Sequence, residues 1–336
     1  MTGRKARSPG DGDLWAALEG LGPPAGGAPS ALESVDRRAS PFASSARLEE
    51  VHLVYEGGTH RSVMFKPLGA RGLLPAARLA KPRFVHDPAR EIAVYRRILD
   101  RHRLGTPRHL GSIVEPRRGR YWLFLEHVPG MQLRWATDDG SWERTATWLA
   151  TLHTTLRGER DRGDVPLLVH DRAFHMRWLT RARRFSATAD PSRTKRLAWI
   201  GSGYHRVVDL LVSLPRTVVH GQFYPSNVLV DEASPSGRIC ALDWEVAGAG
   251  PAVTDLAALT AGAPAHRRQA MVDAYLAATP ADGPLSSSRA DLELALTHAR
   301  LAQAIQWLGW AAAWSAPPEQ ANDWLAEAVD LFERIR

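Results

Sequence analysis

Hydrophobic and polar positions change period along the chain, and the changes divide it into regions. Positions 14, 17, 18 and 21 are apolar and recur at helical spacing, inside a segment, 1–45, that is otherwise rich in Gly, Pro, Ser and Ala. That composition predicts a loosely attached, flexible arm with one short helix. Strand-like runs take over at 51–55 and 62–66, on either side of Gly57 and Gly58, which predicts a β-hairpin. A second extended stretch covers 113–116 and 121–125. Between the two β regions lies a helix signal: Asp87 suits an N-cap, Pro88 the first helical position, periodicity runs over 90–99, and Gly105 ends it. From Trp142 onward helical periodicity dominates, over 142–156, about 172–214, and 289–336. One interruption breaks that part, where the apolar runs 217–219 and 238–242 bracket the polar segment 220–231. Two short strands around a polar loop explain it.

Composition narrows the classes. With 336 residues, 44% hydrophobic and 24% charged, the chain can bury one large core or two packed lobes, which excludes disorder as the overall class. No apolar run reaches the ~18 residues of a membrane span, and the N-terminus carries no apolar leader, so a cytoplasmic protein with no membrane partner is expected. The single cysteine, Cys240, lies in an apolar run and reads as a buried small side chain in a reducing compartment. Lys and Arg exceed Asp and Glu by 43 to 36. The excess is Arg scattered along helices, with no basic block interleaved with aromatics, which favours an anionic small ligand over nucleic acid. Trp307, Trp310 and Trp314 recur at i, i+3 and i+7 and read as a core stripe.

The polar interruption carries the chemistry. It presents His220, Gln222 and Asn227 on a loop between apolar strands, and the next strand ends in the carboxylate of Asp243. His220-Gly221-Gln222, then Asn227, then Asp243, with Asp255-Leu256-Ala257 trailing, resembles the aminoglycoside phosphotransferase family of the protein-kinase-like superfamily. The resemblance covers residue 50 to the C-terminus and is strongest over 218–257. It implies an α+β, bilobal protein-kinase-like fold: an N-terminal nucleotide-binding lobe over 46–128 and a mostly helical lobe over 129–336, with ATP or GTP and Mg²⁺ held between them. It assigns Asn227 and Asp243 to the metal, as hard oxygen ligands suited to that ion.

The family also expects a strand lysine on the phosphates and a helix glutamate that holds it. Lys66 alternates with Met64 and Leu68, and Glu91 shares a helix face with Tyr95 and Ile98, so both charges are expected on apolar faces. Buried charges are costly unless paired, and these two meet each other most economically. The resemblance then implies that Lys66 contacts the phosphates and Glu91 orients it, with Lys81 as the rival lysine. It implies further that Glu126 and Val128 offer backbone groups to the nucleotide base. Gly57 and Gly58 form either a loop over the phosphates or a simple hairpin turn.

One departure weighs on the activity. Gln222 stands where the family has its catalytic aspartate, and an amide oxygen accepts a hydrogen bond but takes no proton. Phosphoryl transfer depends chiefly on positioning and charge neutralisation, so the substitution weakens catalysis without excluding it. The leading expectation is an ATP- or GTP-dependent phosphotransferase acting on a hydroxyl of a small molecule, with Gln222 and His220 in the catalytic loop. The alternatives are a pseudokinase-like nucleotide-binding protein and a kinase scaffold turned to other chemistry, such as nucleotidyl transfer or peptide modification. Basic residues over 172–196 are either a solvated helix face or an argument for an acceptor that is not a polycation. Oligomeric state is not encoded in any motif.

Overall fold

An antiparallel sheet with a helix on one face organises the first of two compact units, in the computed structural model, which describes residues 11–24, 30–43, 45–187, 190–234, 237–283, 285, 288–310 and 322–336. The units are Met1–Arg78 with Pro107–Val128, and Leu79–Thr106 with Pro129–Arg336.

In the smaller unit, α1 (Asp11–Glu19) precedes strands β1 (Leu32–Ala39), β2 (Glu49–Tyr55) and β3 (Thr59–Pro67). After α2 (Pro75–Ala80), α3 (Arg90–Val94) and α4 (Asp100–His102), β4 (His109–Glu115) and β5 (Arg120–Glu126) complete a sheet of order β1-β2-β3-β5-β4. Register places Phe65 opposite Phe124 and Val51 opposite Val63, so these residues share one face. Phe65 stacks on Phe124 at 5.1 Å and meets Trp122 edge-on at 5.7 Å. The buried Leu14 and Leu18 of α1 close this core. Lys66, opposite Leu123, lies on the other face of the sheet, and it is nonetheless buried at 9% exposure.

The expected flexible arm is therefore corrected where the structure describes it. Tyr55 donates its hydroxyl to the Gly22 carbonyl at 2.6 Å, and the Arg61 guanidinium donates to the Leu21 and Gly22 carbonyls at 2.9 and 2.7 Å. Residues 32–39 form a sheet edge paired with β2 through seven registered positions, including Val35 opposite Leu53. Only Leu32 of that strand is buried, so its hydropathy gave no sign of it. A charged edge strand of this kind also resists pairing with other chains. Gly57 and Gly58 both take positive φ, 85° and 80°, as the hairpin between β2 and β3 requires.

The larger unit begins with Leu79–Thr106, against the expectation that this helical stretch belongs with the sheet. Its anchors are polar. The buried Arg90 guanidinium donates to the carbonyls of Val85, Pro166 and Glu245 at 2.7, 2.6 and 2.7 Å. Beyond the helix, Trp148 Nε1 donates to the Leu104 carbonyl at 2.5 Å and Arg238 Nε to the Gly105 carbonyl at 2.7 Å. Tyr95–Leu99, between α3 and α4, is a π-turn, so the predicted helix is continuous but locally widened.

The rest of the unit runs β6 (Met131–Gln132), α5 (Asp139–Thr155), β7 (Leu168–Val169), α6 (Arg172–Ser186), α7 (Pro191–Ser213), β8 (Arg216–Val219), β9 (Val228–Asp231), β10 (Arg238–Ala241) and β11 (Gly248–Pro251). Helices α8 (Val253–Thr260), α9 (Ala265–Ala278), α10 (Arg289–Leu308) and α11 (Trp324–Ile335) follow. The strands form two small sheets, β10-β9-β6 and β7-β11-β8. Asp138, Asp171 and Asp190 cap α5, α6 and α7 through their side chains, and Pro191 in the first turn of α7 splits the helical stretch expected over 172–214. Cys240 is buried, as its apolar surroundings predict. Among the described residues, no helix is long and apolar enough to cross a membrane.

Candidate active site

The loop from β8 to β9 is built around one carboxylate. Asp255, on α8, has no exposed surface. Its Oδ2 accepts the His220 backbone N–H at 2.6 Å, and its Oδ1 accepts that of Gly221 at 2.8 Å. His153 Nε2 completes the set at 3.1 Å, while His153 Nδ1 meets the Tyr275 hydroxyl at 2.9 Å. Burial would raise the Asp255 carboxyl, but the His153 hydrogen bond and charge and the His220 backbone donor outweigh it and hold the group below its ordinary value.

His220 is fully buried. Its Nε2–H donates to the Leu242 carbonyl at 2.6 Å, which leaves Nδ1 to accept the Gln222 backbone N–H at 3.3 Å. Both ring nitrogens are thus engaged within the unit, and the residue fixes the loop rather than offering a proton. Gly221 has φ of 81°, and a Cβ there would stand 2.6 Å from the Val246 carbonyl oxygen, so glycine is required. Phe223 anchors the next position by stacking on Trp148 at 5.8 Å.

Asn227 ends a single 3₁₀ turn, Pro225–Asn227, and its Nδ2 donates to the Gln222 carbonyl at 3.0 Å. That bond assigns the amide nitrogen inward and leaves Oδ1 as the end available to a cation. The Leu242 N–H donates to the Asn227 carbonyl at 2.8 Å, which ties the loop to the segment bearing Asp243. Asp243 takes φ of 64°, a left-handed conformation rare outside glycine and concentrated at functional positions. Trp244 beneath it is fully buried, with its ring 4.6 Å from that of His220. One carboxylate and one amide oxygen match the partial ligand set of Mg²⁺, which takes its remaining ligands from phosphate and water. Among the described residues no group of three or more His, Cys, Asp or Glu forms a fuller metal cage.

Lys81 takes a different place from the one its irregular surroundings suggested. Its Nζ pairs with Glu245 Oε2 at 2.5 Å, and the two side chains are only 5% and 11% exposed. Burial, followed by the Lys81 charge, pushes the nearby His86 imidazole below its ordinary pKa. Glu126 lies at the end of β5, where its N–H donates to the Arg108 carbonyl at 2.9 Å and its carboxylate accepts the Arg108 N–H at 3.0 Å. That backbone N–H is therefore occupied, while Val128 is buried nearby in sequence. Glu91 is 1% exposed in the larger unit and Lys66 is buried in the smaller one.

Of the basic residues over 172–196, Arg172 pairs with Asp209, and Arg181 donates to the Gly309 and Trp310 carbonyls at 2.7 and 2.8 Å. Arg193, Lys195 and Arg196 are exposed on α7. Internal pairing and a solvated face account for these five. The tryptophan stripe divides: Trp310 stacks on the buried Trp178 at 5.7 Å, Trp307 faces a cavity, and Trp314 lies outside the described residues. Glu245, the partner of Lys81, was not singled out by the sequence, whereas Lys81 was named only as the rival lysine and Trp307 only as part of a core stripe. For Asp255 the signal was present in the Asp-Leu-Ala triplet.

A model of the phosphotransferase enzyme family matches residues 39–287. Comparison with curated protein sequences finds no match. Among solved structures, a microcompartment-associated aminopropanol kinase superposes with a TM-score of 0.59 at 15% identity, covering 90% of this chain and 92% of that one. A macrolide 2'-phosphotransferase from Brachybacterium faecium gives 0.54 at 18%, with 90% and 94% covered. The GDP complex of the wild-type aminoglycoside 2'-phosphotransferase-IIIa gives 0.55 at 13%, with 91% and 93% covered. The expected α+β, bilobal protein-kinase-like fold is thereby found, and the chain belongs to the phosphotransferase enzyme family.

Proposed function

We propose that the protein transfers the γ-phosphoryl group of ATP or GTP to a hydroxyl of a small molecule, with Mg²⁺ bound by Asn227 and Asp243. The observation that carries this reading is the loop frame: Asp255 holds His220 and Gly221 by their backbones, and Asn227 holds the Gln222 carbonyl. Such a frame fixes one side chain, at 222, and one amide oxygen, at 227. The similar aminoglycoside enzyme, described as a GDP complex, supports a nucleotide ligand. Lys66, Glu91, Gly57, Gly58, Glu126 and Val128 are proposed to serve that nucleotide, as the family implies.

In the reaction, the acceptor oxygen bonds to the γ-phosphorus while the bond to the β–γ bridging oxygen breaks. The diphosphate leaves with that electron pair, and the hydroxyl proton passes to solvent. Gln222 accepts the hydroxyl hydrogen bond and orients the oxygen without removing the proton. Mg²⁺ held by Asn227 and Asp243 would supply the neutralisation of charge on the phosphate oxygens.

General-base assistance is worth about 10²–10⁴-fold where it operates. Gln222→Asp is therefore expected to raise Mg²⁺-dependent ATP or GTP turnover at least about tenfold, read as nucleoside diphosphate release with water or a hydroxyl compound as acceptor. Nucleotide binding by both variants with no turnover by either would favour the second reading that Gln222 itself suggests, a nucleotide-binding protein that transfers nothing.

A further inference from the structure

A cavity of about 370 Å³ opens within the larger unit, and one wall of it is Tyr224–Ser226, starting two residues beyond Gln222. The volume suits a molecule of one or two rings. Its walls are aromatic and arranged. Trp307 stacks on Trp324 at 5.6 Å with 18° between planes, and Tyr224 lies 5.4 Å from Trp307. Burial pushes the Tyr224 phenol above its ordinary value, so it is a neutral wall. Trp142, Arg134 and Arg267 also line it, together with small residues that follow α8, Ala261, Gly262 and Ala263.

The charge around this space is one-sided. Its described lining carries two guanidinium groups and no carboxylate. The face of Trp142, where a cationic ligand would find its best seat, is occupied by the Arg267 guanidinium at 4.9 Å. Arg134 lies over Trp135 in the same way, at 4.8 Å. Asp139 outside the lining accepts from Arg267 Nε at 2.7 Å, and Arg267 Nη2 also reaches the Thr137 carbonyl at 3.4 Å. An incoming cation would have to displace Arg267 from both partners. An anion meets guanidinium donors and aromatic faces in one lining.

We propose that this cavity binds the acceptor, and that the acceptor is a planar aromatic ring bearing an anionic group as well as the hydroxyl to be phosphorylated. The assignment rests on the phosphotransferase reading for its role and on the cavity alone for its chemistry.

The test is calorimetric titration of the full chain, without nucleotide, with 4-hydroxyphenylacetate, tyrosol and tyramine, which share a ring and differ in tail charge. Affinity is expected to fall from the anion through the neutral alcohol to the cation, with at least about a tenfold difference between the ends. Trp324→Ala should weaken all three about fivefold or more, and Arg267→Gln, by uncovering Asp139, should collapse the discrimination to about threefold or less. Near-ultraviolet circular dichroism confirms that each variant is folded. Tyramine binding as tightly as the acid, no binding by any of the three, or binding indifferent to Trp324→Ala overturns the proposal. The outcome separates from that of the transfer reading, because a chain that binds no nucleotide yet prefers the acid loses only the role, and one that binds nucleotide yet prefers tyramine loses only the chemistry.

Discussion

His170 and His175 show how single buried groups set the response to acid. His170 stacks on Phe174 at 4.3 Å, and burial holds the two imidazoles at about 4 and about 3, well below the ordinary 6.5. Both are neutral in the folded chain at neutral pH. As pH falls below 6.5 the unfolded chain takes up protons that the folded chain refuses, so stability is complete above that value and is lost on the way down to about 4. Each such group contributes a slope of up to about 1.4 kcal/mol per pH unit in that window. Urea unfolding between pH 7.5 and pH 5 should show the decline, and His175→Gln should flatten it by up to that amount; parallel curves for the two proteins would contradict the assignment. At this scale the sequence revealed what lies close together in the chain. Gln222, Asn227 and Asp243 belong to one contiguous motif and were visible. Lys81 and Glu245 are 164 positions apart, and no periodicity joins them.

Elements were legible in proportion to how strongly their local signals agree. The hairpin of β2 and β3 carried strand-like runs and two glycines, and the helices α5, α6 and α7 each begin at an aspartate whose side chain accepts a backbone N–H. β1 carried nothing, because LESVDRRA is an exposed, charged edge. The apolar face of α1 was visible, but the Gly and Pro around it pointed to a loose tether. What decides its attachment is tertiary: Leu18 is completely buried in the sheet core beside Val63 and Phe65. Lys66 offers a converse case. Its burial was foreseen, yet the sheet's aromatic core occupies the face of Val63 and Phe65, because register rather than alternation alone decides which side is covered. If α1 is part of that core, Leu18→Ala should destabilise the protein by about 2–4 kcal/mol, the range for a buried leucine truncated in a packed core. Thermal unfolding followed by circular dichroism measures it, and a melting temperature equal to that of the parent would mean the helix is dispensable.

At the scale of the molecule, the family match begins at residue 39, the last position of β1, so α1 and nearly all of β1 precede the matched region. The sequence exposed the family through the catalytic loop, while the division into units follows contacts that no local pattern carries; Leu79–Thr106 joins the larger unit through Arg90, Trp148 and Arg238. The proposed activity asks more of the chain than fold, since it requires that metal and nucleotide bind as one ligand. A ligand that binds only the folded chain stabilises it by about 2.7 kcal/mol at a hundredfold excess over Kd, which raises the melting temperature by several degrees at most in a chain of this size. Differential scanning calorimetry with ATP or GTP should therefore show a rise in the presence of Mg²⁺ that EDTA removes. Asp243→Ala should abolish that metal-dependent rise while leaving the melting temperature without ligand within about 2 °C, because the side chain is partly exposed and its left-handed backbone is unfavourable for alanine as well. Lys66→Ala should weaken the nucleotide effect with or without metal. A rise that persists in Asp243→Ala would remove Asp243 from the metal, and with it the reason for reading Asn227 as its companion.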